Sequence, residues 1–388
     1  LPRFNMTGML LMLNKTIWVG LTTLTLLVSL RAATVEPVGA LGNSGEAGVT
    51  LVRVGVMPFD RCSTGVAIDR DMTLWVSGGD AINRVGLDGR LIERIPIEPK
   101  GSLVNSRTFA VLNGALYFLG NLPDGKVALF GVSISPTAPM ARKAARPVLL
   151  SLPERKRDFL PSCLSPQPFN GQLVLACEPK EFQDARIGVY FITPPKEGSE
   201  RAKVRLAFTV AGEYPQGVAV DEKNGVIYLG GYFGLFVGGE THQSVYSIAA
   251  LKADGTMLDG FPVACTKTPA IPTQFRGVIS LAGNALWDAA WYGFLARLDL
   301  KGRGAPGRVV EWHHELGYPT QVLAVDGGLL AITTAMPNAL YIARWDDAQG
   351  SIKFVRRIGC LPTIASLNLS EDGWVSVGTE RAQLWWRW

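Results

Sequence analysis

The sequence predicts an all-β chain folded as a β-propeller, a ring of small antiparallel sheets, and three observations predict it. A turn followed by an apolar run recurs seven times, at spacings of 42 to 59 residues. The 43 Gly and 24 Pro show no triplet period and fall mainly between short apolar runs, as they do where many strands meet many turns. After the N-terminal leader, no stretch of a dozen residues carries the helical apolar period that a helix-crossover fold needs.

The leader comes first in the chain. Residues 17–30, IWVGLTTLTLLVSL, are apolar and uncharged; Asn14-Lys15 precede them, and small residues follow at Ala32-Ala33 and again at Gly39-Ala40. That order reads as a secretory signal peptide. The alternative is an anchor helix, but the run is shorter than the about 20 residues that span a hydrocarbon core. Extending it back to Met6 would place Asn14 and Lys15 inside the membrane. The expected division is leader and upstream residues over 1–40, with the start at Met6 or Met12, and one propeller domain over 41–388. The mature protein is then periplasmic or secreted, with no further membrane span.

The seven units lie at 71–76, 113–118, 170–175, 224–229, 283–287, 327–332 and 372–377. With Leu74, Leu116, Leu173, Ile227, Leu286, Leu330 and Val375 as landmarks, the intervals are 42, 57, 54, 59, 44 and 45 residues. These are blade spacings with insertions in the middle blades, and they are too long for a solenoid repeat of about 20 to 30 residues. Seven blades are expected; six is the alternative, because the unit around Cys163 is the least regular. Asn-Gly and Asp-Gly accept the positive φ of a tight hairpin turn. The runs beside them are continuously apolar, as in 173–176, which suits strands buried on both faces between neighbouring blades.

Third strands follow at 81–85 and 244–248, and the chain ends in a third strand over 383–388 with nothing left for a fourth. Residues 50–56 lie ahead of the first unit and lack a partner. Placed as the outer strand of the last blade, they close the ring and remove its free edges. The terminal Leu384-Trp385-Trp386-Arg387-Trp388 is expected to pack between the closing blades, with an exposed docking patch as the alternative.

Two of the units carry a family resemblance. Gly65-Val66-Ala67-Ile68-Asp69 followed by Leu74-Trp75-Val76, and 215–221 (PQGVAVD) followed by Ile227-Tyr228-Leu229, resemble blades of the NHL, YVTN and gluconolactonase-like propellers. The gluconolactonase-like enzymes hold a divalent metal with an acidic residue of the first blade and Asn and Asp residues of later inner loops. Against that pattern this chain offers Asp60, then Asp158 or Asp288, but Gln216 and Arg276 fill the Asn positions. An Arg aimed at a metal centre repels the ion, so the resemblance implies the fold more than the hydrolase activity.

Composition narrows the partners. Net charge is +5, and losing Arg3, Lys15, Arg31 and Glu36 with the leader takes it to +3. Basic residues are scattered, the longest cluster being Arg155-Lys156-Arg157, and no basic stripe with interleaved aromatics exists, so nucleic acid is not an expected partner. Five Cys in an exported chain suggest disulfides. Cys163 and Cys177 flank a turn centred near Asn170, and Cys62 and Cys360 precede the first strands of the first and last units, which a closed ring makes neighbours. Some of these Cys read equally well as small buried apolar residues. The absence of any CxxC argues against a metal site built on them.

In a propeller the loops entering the innermost strands converge on the channel mouth. Here they carry Asp60-Arg61, Arg107, Arg157-Asp158, Gln216, Gln274, Arg276, His313-His314 and Gln321. The guanidinium fork matches a carboxylate or phosphate, so Arg107 and Arg276, with Asp158, Gln216 and His313, form the candidate binding set. The alternative is that each Arg neutralises a nearby carboxylate. His313 and His314, adjacent on an extended chain, would point to opposite sides and not share a metal. Neither a GxSxG elbow nor a phosphate-cradling Gly loop occurs in the right context, and no catalytic residue is assigned. The expected function is a binding or interaction module for a small anion or an envelope or extracellular protein, needing no cofactor. The alternative is a gluconolactonase-like hydrolase or lyase using Ca²⁺ or Zn²⁺.

Overall fold

A computed structural model describes residues 35–36, 52–58, 66–68, 74–86, 90–104, 109–134, 144–149, 166–178, 186–195, 201–236, 244–265, 279–290, 294–301, 308–310, 312, 314–359, 361, 364–369, 374–379 and 382–387. They form seven antiparallel sheets. Blade 1 runs Val66–Ile68, Leu74–Ser77, Ala81–Val85, Leu91–Pro96. In blade 2, Leu103–Val104 and Ala110–Leu112 both pair with Ala115–Asn121, followed by Val127–Ser133 and Arg146–Leu149. Blade 3 is Gln167–Phe169, Gln172–Cys177, Arg186–Thr193, Lys203–Ala211, and blade 4 is Glu213–Asp221, Val226–Phe236, Ser244–Lys252, Val263–Ala264. Blade 5 is Ser280–Ala282, Ala285–Ala290, Phe294–Asp299, Arg308–Val310, and blade 6 is Tyr318–Val325, Leu329–Ala335, Ala339–Asp346, Ser351–Ile358. Val35–Glu36 adds to the outer strand of blade 6.

Blade 7 closes the ring. Its own strands are Ile364–Leu369, Trp374–Thr379 and Ala382–Arg387, and its fourth is Val52–Pro58, pairing Val56 with Leu384 and Met57 with Gln383. The first strands of successive blades touch from blade 2 round to blade 7, and that of blade 7 touches that of blade 1. The ring therefore has seven blades, and the irregular third unit is a full one.

All seven landmark residues fall in second strands, and each is 1% exposed or less. Each second strand is mostly apolar because it faces two neighbours, with a few buried polar residues such as Ser77, Asp288 and Thr333 among them. In blade 3, Leu173, Leu175 and Cys177 pack toward blade 2, while Val174 and Ala176 pack toward blade 4. That is the two-residue alternation of a strand applied to two interfaces. Six such clusters fill the six consecutive interfaces from blade 1 to blade 7. Trp386 belongs to the one between blades 6 and 7, and Trp385 is equally buried, so these two tryptophans pack inside and do not form a docking patch.

The tight turns use the residues their backbone requires. Asn113-Gly114 and Asn170-Gly171 each hold two successive positive φ values (51° and 71°, 49° and 71°), the twist-matched hairpin turn. The blade 3 hairpin pairs Phe169 with Gln172, so its register is centred between Asn170 and Gly171. The pairing of Cys163 with Cys177 assumed a centre on Asn170 itself, and Cys177 is a buried thiol, as is Cys265. Cys62, Cys163 and Cys360 lie outside the described residues, as do residues 1–34 and 37–40 of the expected leader over 1–40, of which only Val35–Glu36 is described, paired with blade 6. Among the described residues, no helix is long and apolar enough to cross a membrane.

Candidate functional site

Each blade's first strand begins, and its second strand finishes, at the same end of the ring, here called the mouth. Polar side chains buried in an otherwise apolar wall gather toward this end. Ser77, Thr333 and Thr334 finish second strands, and Glu178 follows one; Gln216 and Gln321 lie in first strands, and Asp288 in the upper half of a second strand. Both buried glutamines sit at register shifts, one between Glu213 and Gly217, the other between Pro319 and Gln321. A bulge bends its strand and re-aims the side chains on it, so the wall turns polar where the ladder breaks.

The sequence placed Gln216 and Gln321 in loops, whereas the strands run further toward the mouth and contain them. Asp288 likewise stands within the second strand of blade 5 and not in an inner loop. His314 opens a short 3₁₀ turn over His314–Leu316. Trp312 just before it donates from Nε1 to the Gly317 carbonyl at 2.7 Å, and Tyr341 donates to the Leu316 carbonyl at 2.9 Å, pinning this turn against blade 6. Asp60, Arg61, Arg107, Arg157, Asp158, Gln274, Arg276 and His313 lie outside the described residues.

Three tyrosines that the sequence reading did not single out cross blade 4 toward Asp288. Tyr214 opens the first strand at a left-handed φ of 52°, and its N–H donates to the Glu178 carboxylate. Its ring meets Tyr232 edge-on at 5.8 Å, and Tyr232 meets Tyr246 at 5.9 Å. Gly230 makes the last step possible: a Cβ there would lie 2.2 Å from the Tyr246 hydroxyl oxygen and 2.9 Å from Ile279. The legible trace in the sequence was the pair Gly230-Gly231 inside a strand, which marks a close approach.

Asp288 is 3% exposed. Its Oδ1 accepts from the Ala289 N–H at 2.8 Å, and Oδ2, with the Tyr246 hydroxyl nearby, makes no hydrogen bond of normal geometry among the described residues. Burial raises its pKa from 3.8 to about 6, against the smaller opposing influences of the Tyr246 hydroxyl and the Ala289 N–H. Burial, and then the Asp288 charge, hold the Tyr246 hydroxyl and the Cys265 thiol well above their ordinary values, so both stay protonated. In blade 4, the Gln216 side chain is 1% exposed with Oε1 also unmatched. Two buried acceptors on the mouth side thus lack a well-formed hydrogen bond among the described residues, and one of them belongs to the acid that burial raises to about 6.

No protein-family model and no curated protein matches the sequence. Several solved structures match the fold. Virginiamycin B lyase from Staphylococcus aureus superposes with a TM-score of 0.53 at 14% identity, over 87% of this chain and all of that one. A streptogramin B lyase gives 0.54 at 14% identity over 86% and 97%. BamB from Moraxella catarrhalis gives 0.52 at 12% identity over 87% and 100%. At these identities the likeness is one of fold.

Proposed function

We propose that this chain is an exported propeller acting as a binding or interaction module, and that the mouth takes a small anionic ligand that also carries hydrogen-bond donors. The observation that carries the proposal is the pair of buried acceptors, Gln216 Oε1 and Asp288 Oδ2, at one end of the ring, neither of which makes a well-formed hydrogen bond among the described residues. An unmatched buried acceptor costs about 1–3 kcal/mol, a penalty that a bound donor removes. Arg107 and Arg276, on loops the sequence assigns to the same mouth, supply the positive charge for a carboxylate or phosphate. A hydroxy or amino carboxylate combines both features. A periplasmic or secreted location follows from the leader over 17–30.

The test is a thermal-shift and calorimetric screen of hydroxy and amino carboxylates against the purified mature protein. Binding that weakens in Arg107→Ala with Arg276→Ala, and separately in Gln216→Leu, supports the reading. Carboxylate affinity unchanged in both variants sinks it, and capture of an envelope protein through the same residues replaces the small anion with a macromolecular partner.

An enzyme is the second reading, favoured by the buried acid of the mouth: a carboxyl that titrates near 6 can both give and take a proton close to neutral pH. It implies a hydrolase or lyase with Ca²⁺ or Zn²⁺. Metal analysis separates the two readings, since a stoichiometric, tightly held ion supports the enzyme and its absence the binder.

A further inference from the structure

The face opposite the mouth, where the first and second strands join, carries a cleft of about 580 Å³ between blades 4 and 5. Its floor is apolar and aromatic. Tyr228 is 5% exposed, and its ring lies 6.4 Å from that of Phe261. One wall is the connection between the third and fourth strands of blade 4, and it is built to hold its shape. Lys252 N donates to Thr256 O and Leu258 N to Ala250 O, each at 2.9 Å, folding the segment back on its own strand.

Charge on the rim runs against that of the molecule. The whole chain has a net charge of +5, yet three carboxylates, Asp221, Asp259 and Asp299, face this cleft with one ammonium, Lys252. Asp221 is fixed by Asn224, whose backbone N–H and side-chain amide donate to it at 3.0 and 2.7 Å. Its charge reaches the floor: burial first, and then Asp221, push the Tyr228 hydroxyl up to about 12. Asp299 stands half-exposed and shares Arg297 at a long 3.4 Å. Asp259 is exposed and forms no ion pair among the described residues. An aromatic floor under a negative rim favours a positive charge carried on an apolar body, since the ring quadrupole and the carboxylates attract the same end of the ligand.

We propose that this cleft is a second binding site, distinct from the mouth, for a small organic cation: a primary amine or guanidinium on an aromatic or aliphatic body.

The experiment uses the full mature chain and three probes of one shape, benzylamine, benzyl alcohol and benzoate, followed by calorimetry and ligand-observed NMR. Benzylamine is expected to bind about tenfold more tightly than benzyl alcohol, the sum of two partly exposed ion pairs, with benzoate weakest. Asp259→Asn with Asp299→Asn should bring benzylamine down to the level of benzyl alcohol, while Lys252→Met should tighten it; all three positions are solvent-accessible, so folding is retained. Equal affinity for the three probes, no saturable binding of benzylamine, or benzylamine binding untouched by the double substitution overturns the proposal.

Discussion

Asn in place of Asp288 should make the protein more stable above neutral pH, and by an amount that depends on pH in a defined direction. The carboxyl is 3% exposed, and its pKa is 3.8 as an ordinary Asp but about 6 in the fold. Below pH 3.8 it is protonated in both the folded and the unfolded chain, and burial costs no charge. Between 3.8 and about 6 the unfolded chain ionises first, so the native state loses stability as pH rises. Above that window the loss is complete, and raising the group from 3.8 to about 6 corresponds to about 3 kcal/mol. Asn keeps the shape and cannot ionise. Urea unfolding of both proteins at about pH 4 and pH 7.5 isolates the effect, because every other carboxylate cancels in the difference. The variant should gain about 2.4 kcal/mol on the native protein between those two pH values, since part of the loss is already present at pH 4. A difference that stays constant with pH, or that moves against the variant as pH rises, refutes the assignment of a strained buried acid at the mouth.

Other consequences concern packing. Trp386 is fully buried among residues of blades 6 and 7, so Trp386→Ala should cost about 3–5 kcal/mol in urea unfolding, whereas a tryptophan exposed for docking would cost almost nothing. Gly230→Ala would bring a methyl within 2.2 Å of the Tyr246 hydroxyl oxygen and 2.9 Å of Ile279. Overpacking of that kind costs about 1–3 kcal/mol, and a neutral effect on the thermal midpoint would show that Tyr246 does not lie over this glycine.

Much of the fold was legible because propeller blades repeat one local rule. A second strand buried on both faces carries apolar residues at consecutive positions, which is why Leu173 through Ala176 could be read without an alternating pattern. The unpartnered strand ahead of the first unit and the missing strand after the last were complementary absences, and Val52–Pro58 fills the gap. What failed to show was register. The hairpin at Asn170-Gly171 turns on two residues, a half-step from a centre on Asn170 itself, and Cys163 lies outside the described residues. Bulges extend the first strands past the point where apolar patterning ends, so Gln216 and Gln321 read as loop residues. Tyr214, Tyr232 and Tyr246 come from three different strands, and no linear spacing announces that they meet edge to face in a run that ends beside Asp288.

The mouth exists only in a ring closed by the chain's own strand Val52–Pro58. Met57 and Gln383 are directly opposed across that seam. Opposed residues of an antiparallel pair lie about 4.5–5.5 Å apart at Cα, within the span of a disulfide. Met57→Cys with Gln383→Cys, oxidised and mapped by peptide mass spectrometry, should give an intramolecular 57–383 disulfide in a folded monomer. A doubly substituted protein that stays reduced at these sites, or that links only between two chains, would contradict the closed seven-bladed ring.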